Sequence, residues 1–199
     1  MQTDTYKTIL TDAEGTFRDR GSKFIGYAFE VSDEEQVKTK LQVVKKLHPS
    51  ARHFCYAYRI DPLQEKWRAN DDGEPSSSAG KPILNQMKSV GVMNCLVVVV
   101  RYFGGTLLGV PGLIHAYREA AAIALENAKT QNKRITIGVE VHCPFAESGE
   151  LMKIIKKLQV NYLLGSTAEN FVLHVEVPHS EIDSLIQNVE EKGWTVQKA

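Results

Sequence analysis

Apolar residues recur at two different periods along this chain, and each change of period marks an element. "GSKFIGYAFEV" (residues 21–31) is rich in β-formers and follows a turn-like "RDRG", which predicts a strand. Val37, Leu41, Val44 and Leu47 then recur at helical intervals, Ser32 and Glu35 have capping-box spacing ahead of them, and "HPS" stops the helix. "HFCYAYRI" (53–60) alternates as a strand, with "EKWRAN" (65–70) as its hairpin partner across "DPLQ". "DDGEPSSSAGKP" is a Gly/Ser/Pro-rich loop leading into the helical-looking "ILNQMKSVG". Residues 93–103 form an apolar strand, and a run as greasy as Val97–Val100 calls for burial on both faces. A glycine-rich loop follows, then a helix from about Pro111 to Ala128, with Pro111 suited to its first turn. Alanines at 120, 121, 122 and 124 leave that helix a smooth surface for close packing.

"KTQNKR" (129–134) is polar and reads as a linker. Beyond it Ile135, Ile137, Val139 and Val141 alternate as a strand, Leu151, Ile154, Ile155 and Leu158 mark a helix, and "VNYLLGST" is a second strand. Phe171, Leu173, Val175 and Val177 alternate as a third strand, and Ser180 is placed to cap a helix carrying Ile182, Leu185, Ile186 and Val189. Gly193 ends that helix, and "WTVQK" closes the chain. The order β-α-β-β-α-β is the split-βαβ, ferredoxin-like arrangement. The expected architecture is α+β in two domains, residues 1–130 and 131–199.

Composition narrows the class without naming a partner. A chain of 199 residues with 43% apolar and 24% charged residues is ordinary for a soluble globular protein. Lys plus Arg and Asp plus Glu are 24 each, so no global charge argues for nucleic acid or membrane. The N-terminus lacks a signal-peptide pattern, and no apolar run approaches the roughly 18 residues of a membrane helix. Cys55, Cys95 and Cys143 lie far apart with no C-x-x-C pair, which implies a reduced, cytoplasmic protein without a disulfide framework or zinc ribbon.

Two loops could carry chemistry. In "VVVVRYFGGTLLGVPGL" (97–113) a strand feeds Gly104, Gly105, Gly109 and Gly112 and then a helix N-terminus, a common way to hold an anion, with Arg101 as a further donor. The spacing fits neither a Walker A loop nor G-x-G-x-x-G, and pairing of Arg101 with a carboxylate is the plainer reading. In "NDDGEPSSSAGKP" the serines before Ala79-Gly80 could cradle a phosphate, while Asp71, Asp72 and Glu74 miss EF-hand spacing. His53 beside Phe54, Tyr56 and Tyr58 has no nucleophile at a recognisable motif, and those aromatics suit either base stacking on an open sheet or a core.

Taken together, "HFCYAYR" (53–59), "DDGEPSSSAGKPIL" (71–84) and "RYFGGTLLGVPGLIHAY" (101–117) resemble the IMPACT/YigZ family over nearly the whole chain. Ser77-Ser78 stands where the family usually has Gly-Thr, and Leu107, Pro111 and His115 replace Lys, Gly and Arg, removing two basic residues. The resemblance implies an N-terminal left-handed βαβ domain, as in a small-subunit ribosomal protein, elongation factor G domain IV and the GHMP kinases. It also implies a C-terminal domain like elongation factor G domain V, and regulation of translation as in the eukaryotic relatives. The expected role is a non-enzymatic protein that binds RNA or a ribosome-associated partner. The alternative is a small-molecule phosphate- or nucleotide-binding protein, or an enzyme, using a cleft between residues 71–80 and 101–112. The candidate binding residues are Arg101, Tyr102, Phe103, Gly104, Gly105 and Gly109, with Asp71, Asp72, Glu74, Ser76, Ser78 and Gly80 opposite and His53 beside them. No catalytic residue, metal or cofactor is assigned, and a metallopeptidase is rejected because the six histidines are scattered.

Overall fold

Residues 4–198 are described by a computed structural model, a mixed α+β architecture that divides into two compact units. The first, Tyr6–Lys133, is organised around the apolar strand. Its elements are β1 (Thr5–Ile9), β2 (Ala13–Asp19), β3 (Ser22–Glu30), α1 (Glu34–Leu47), β4 (His53–Ile60), β5 (Lys66–Asn70), α2 (Gly80–Val90), β6 (Cys95–Tyr102), α3 (Gly109–Asn127) and β7 (Thr130–Arg134). A five-stranded sheet has the order β2-β3-β6-β4-β5, and every neighbouring pair is antiparallel. Antiparallel sheets commonly leave one face wet, which would give β6 an alternating sequence. Here both faces are covered. Val97 and Val99 join the core that also holds residues of α2 and α3, whereas Val98 and Val100 join a second core with Val37 and Val44 of α1. That double coverage is why the sequence of β6 shows no alternation.

The alanines of α3 seat against glycines of the sheet. Gly15 and Gly26 lie opposite each other on β2 and β3. A Cβ on Gly26 would stand 2.4 Å from the Ala120 carbonyl oxygen, and one on Gly15 2.6 Å from Ile123 Cγ2. Helix and sheet therefore meet backbone to backbone, a contact that larger side chains on either surface would hold apart.

Three local expectations are corrected, and one open alternative, for the aromatics of β4, is decided in favour of the core. The N-cap of α1 is Asp33, whose carboxylate accepts the Gln36 N–H at 2.8 Å while Gln36 Oε1 accepts the Ser32 N–H; the box lies one residue beyond the Ser32–Glu35 pair. The segment taken as a linker, 129–134, includes β7, which pairs with β1 in a two-stranded ribbon. Its side chains alternate between half-buried and exposed, so its polar sequence carries no hydrophobic signal. The aromatics of β4 are no stacking platform: Phe54 and Tyr58 are buried, and half-buried Tyr56 packs with them. Ser180 does not cap a helix through its side chain; it lies in a 3-10 turn, His179–Glu181, and its hydroxyl donates to Asp4.

The second unit comprises residues 134–198 with residues 4 and 5. It contains β8 (Thr136–Pro144), α4 (Ser148–Leu158), β9 (Tyr162–Ser166), β10 (Asn170–Pro178), α5 (Ile182–Glu190) and β11 (Thr195–Lys198). The sheet order is β11-β8-β10-β9, antiparallel throughout. Val139, Val141, Leu173, Val175 and Val177 share one core with Leu151 and Ile155 of α4 and Leu185 and Val189 of α5.

At the C-terminal end of α1, His48 is held between two tyrosines, Nε2 2.7 Å from the Tyr27 hydroxyl and Nδ1 2.9 Å from that of Tyr102. Burial, with nearby Lys23, holds its pKa below the usual 6.5. The unfolded chain then binds the proton more readily, so this stabilisation is complete above about pH 6.5 and is lost as pH falls through the folded pKa. Urea unfolding at pH 7.5 and 5.5 is expected to show a larger acid loss for the native chain than for His48→Gln. In the same assay Gly26→Ala is expected to lose about 1–3 kcal/mol at either pH, because the new methyl overpacks the seam with α3.

Candidate functional site

The two glycine-containing loops meet at the end of β6 opposite its entry. Arg101 lies between Phe24 of β3 and His53 of β4 in register, so all three side chains leave the same face of the sheet. The guanidinium donates from Nη1 to Glu74 Oε1 at 2.7 Å, and the Tyr117 hydroxyl of α3 donates to the same oxygen at 2.7 Å. The ion pair is 8% and 4% exposed, which places it in the interior. Phe24 and Phe103 flank the guanidinium with ring centroids 5.6 and 5.5 Å away, and its Nε is buried without a hydrogen-bond partner. Cys55 extends the network, its thiol 3.0 Å from the Asp71 carbonyl and 3.3 Å from the Tyr117 hydroxyl. Burial pushes the Cys55 and Tyr117 pKa values strongly upward, so both keep their protons and serve as donors.

The 71–80 loop fills its own cradle. Asp71 Oδ1 accepts the N–H groups of Ala79 and Gly80 at 3.0 and 2.8 Å, and Oδ2 accepts that of Ser77 at 2.9 Å. These are the backbone donors that the sequence offered to a phosphate, and an internal carboxylate holds them at the start of α2. Asp72 is also committed, accepting the Phe54 N–H at 2.7 Å, while its carbonyl lies 2.9 Å from His53 Nδ1. A carbonyl can only accept, so His53 carries its hydrogen on Nδ1 and leaves Nε2 free. Ser78 is buried and donates to the Pro75 carbonyl at 2.6 Å; Ser76 is exposed.

The glycines answer to the chain's own backbone. A Cβ on Gly104 would lie 1.9 Å from the Gly21 carbonyl carbon, and one on Gly80 2.5 Å from the Asn70 nitrogen. Gly105 and Gly109 adopt φ of 88° and 69°, which a side chain would strain. The anion-site expectation for the inner faces of both loops is therefore corrected: Arg101 and the Ser77, Ala79 and Gly80 amides already have carboxylate partners, and the Ser78 amide donates to the Pro75 carbonyl.

An open pocket of about 550 Å³ remains beside this network, lined by Ser50, Arg52, His53, Arg101, Tyr102, Phe103 and Leu107. Phe103 is 57% and Leu107 81% exposed, and Val110 and Ile114 continue the apolar surface onto α3. The structure thus brings Arg101, His53, Tyr102 and Phe103 to one pocket while Asp71, Asp72, Glu74 and Ser78 lie in the lattice behind. The sequence reading missed Tyr117, Cys55 and Arg52. A tyrosine on the alanine-rich face of α3 was the available signal, because a buried phenol needs a hydrogen-bond partner. Among the described residues, no group of three or more His, Cys, Asp or Glu side chains is arranged to hold a metal.

Residues 20–125 match the Impact N-terminal domain family. The chain is 32% identical over 164 residues to the IMPACT family member YigZ of Escherichia coli, covering 81% of this chain and 80% of that protein. A crystal structure of a protein described as hypothetical superposes with TM-score 0.73 at 25% identity, covering 99% of this chain and 98% of the other. A solved structure of Yih1, described as a two-domain translational regulator, is 28% identical, with TM-score 0.39 over 58% of this chain and 46% of that one.

Replacing one member of the buried pair strands the other's charge. Arg101→Met and Glu74→Leu are each expected to lose about 3–5 kcal/mol of stability, and the double substitution clearly less than their sum. Urea unfolding of the four proteins checks this.

Proposed function

The chain belongs to the IMPACT family, and we propose that it acts as a translation-linked binding protein whose contact surface is the pocket at Arg52, His53 and Phe103. The partner is ribosome-associated. The observation that carries this reading is the division of labour around Arg101: the buried carboxylates and hydroxyls fasten the loops, while cationic and aromatic groups face solvent beside them. A pocket with Arg52, the free His53 nitrogen and an exposed aromatic suits an acidic protein segment or a nucleotide of RNA. The chain's overall neutrality favours the protein segment, since broad RNA contact draws on an excess of positive charge.

On this reading the first unit is an Impact N-terminal-type domain with the left-handed βαβ crossover, and the second is ferredoxin-like, akin to elongation factor G domain V. The β-α-β-β-α-β order with sheet order β11-β8-β10-β9 supports the second assignment. A cytoplasmic setting follows from the same role. Among the described residues no helix is long and apolar enough to cross a membrane. A second reading, a small phosphate-bearing ligand in the same pocket, is favoured by Arg52 and His53 lining it, since Arg101 is already held by Glu74.

Co-sedimentation with ribosomes at low and physiological salt tests the proposal, using the native chain and an Arg52→Glu, Phe103→Ala double variant shown to be folded. The native chain is expected to pellet at both salts, and the double variant about tenfold less, in line with the loss of a charged and an aromatic anchor. Binding to free RNA alone, fading with salt, would replace the protein partner by nucleic acid. Failure to pellet under every condition would overturn the ribosome assignment.

A further inference from the structure

The second unit ends on one side in a strand that is uncovered and uncharged. Leu163 and Leu164 of β9 are 73% and 64% exposed, and Tyr162 is 36% exposed. The stretch from Val160 to Ala168 contains no Lys, Arg, Asp, Glu or Pro. Edge strands of monomeric proteins are usually blunted by such residues, because their free N–H and C=O groups recruit another strand. Those groups can be assigned here. The Thr167 N–H donates to the Asn170 carbonyl at 2.9 Å, and the Glu176 N–H donates to the Asn161 carbonyl at 3.4 Å. Bonded and non-bonded pairs alternate between antiparallel strands. Counting along the register, Leu163 and Gly165 turn their backbone toward β10, whereas Tyr162, Leu164 and Ser166 present theirs outward.

We propose that β9 is a homodimerisation edge, pairing antiparallel with β9 of a second copy about a two-fold axis at Leu164. This register sets Tyr162 opposite Ser166 of the second copy and Leu164 opposite its own equivalent, so all three outward-facing residues form bonded pairs. Three such pairs supply about six hydrogen bonds. On the face that carries the core, the two Leu164 side chains meet. On the other face, the exposed Leu163 lies over Gly165 of the second copy, a large side chain opposite none. Nothing among the described residues requires glycine at 165: a Cβ there would meet its nearest atom at 3.5 Å, an ordinary contact, with no positive φ. The missing side chain instead leaves room for the second copy's leucine. The absence of charge from both strands lets identical edges approach without repulsion, and this selects a second copy over an oppositely charged partner. The proposal is independent of the pocket in the first unit.

Sedimentation equilibrium of the whole chain from micromolar to several hundred micromolar tests it. A monomer–dimer equilibrium is expected, with Leu164→Lys raising the dissociation constant at least about tenfold by placing like charges face to face on the axis. At concentrations where both are monomeric, thermal unfolding of that variant should match the native chain, since the Leu164 side chain is 64% exposed. Register is read by mild oxidation: the natural cysteines are buried, so Leu164→Cys should cross-link to its equivalent across the bonded pair, whereas Gly165→Cys should not. A monomer throughout the concentration range, a dimer indifferent to Leu164→Lys, or a dimer that fails to cross-link at 164 would each overturn the assignment.

Discussion

A buried ion pair between Arg101 and Glu74 holds the two motif loops of the first unit in place. Each loop is rich in residues that favour turns over packing, so neither would order itself through hydrophobic burial. Joining them through a charge-assisted bond, with the Tyr117 hydroxyl on the same carboxylate oxygen, ties β6, α3 and the approach to α2 to one point. Removing two charges from water is costly, and the arrangement persists because the carboxylate accepts two donors and the guanidinium lies between two aromatic rings. The geometry of the neighbouring pocket is inherited from this point, since Arg101 forms part of its wall.

The same economy of side chains appears where α3 meets the sheet. Gly15 and Gly26 on paired strands and Ala120 and Ala124 on the helix bring backbones into direct contact, and Gly104 does the same where its loop crosses the β2–β3 turn at Gly21. Small residues at these crossings set the height of the helix above the sheet. That height determines whether the Tyr117 hydroxyl reaches Glu74. Packing and the polar network are thus one construction, with glycine and alanine providing the distances and the ion pair the direction.

Legibility in the sequence followed burial. In the second unit β8 and β10 each have one face on a single core, so their alternation stood out and the helical periods of α4 and α5 were clear. In the first unit β6 is covered on both faces and lost its alternation, while β7 pairs with β1 in a separate two-stranded ribbon and passed for a linker. The start of α1 was misread by one residue because Ser32 and Asp33 are both good capping residues and only the backbone decides between them. The motif loops were singled out by residue types that are compatible with an external phosphate and with an internal carboxylate alike.

What the sequence determined by itself was therefore most of the elements from β3 onward, the contrast between a doubly covered strand and alternating ones, and the family resemblance carried by its motifs. These are properties of local period and local composition, which survive reading in one dimension. Tertiary structure decided which donors were already occupied. Asp71 lies six to nine residues from the amides it caps, and Glu74 is 27 residues from Arg101 and 43 from Tyr117. Whether a carboxylate approaches such groups or leaves them to a ligand depends on the sheet register and the height of α3, and both are set by contacts far away in the chain.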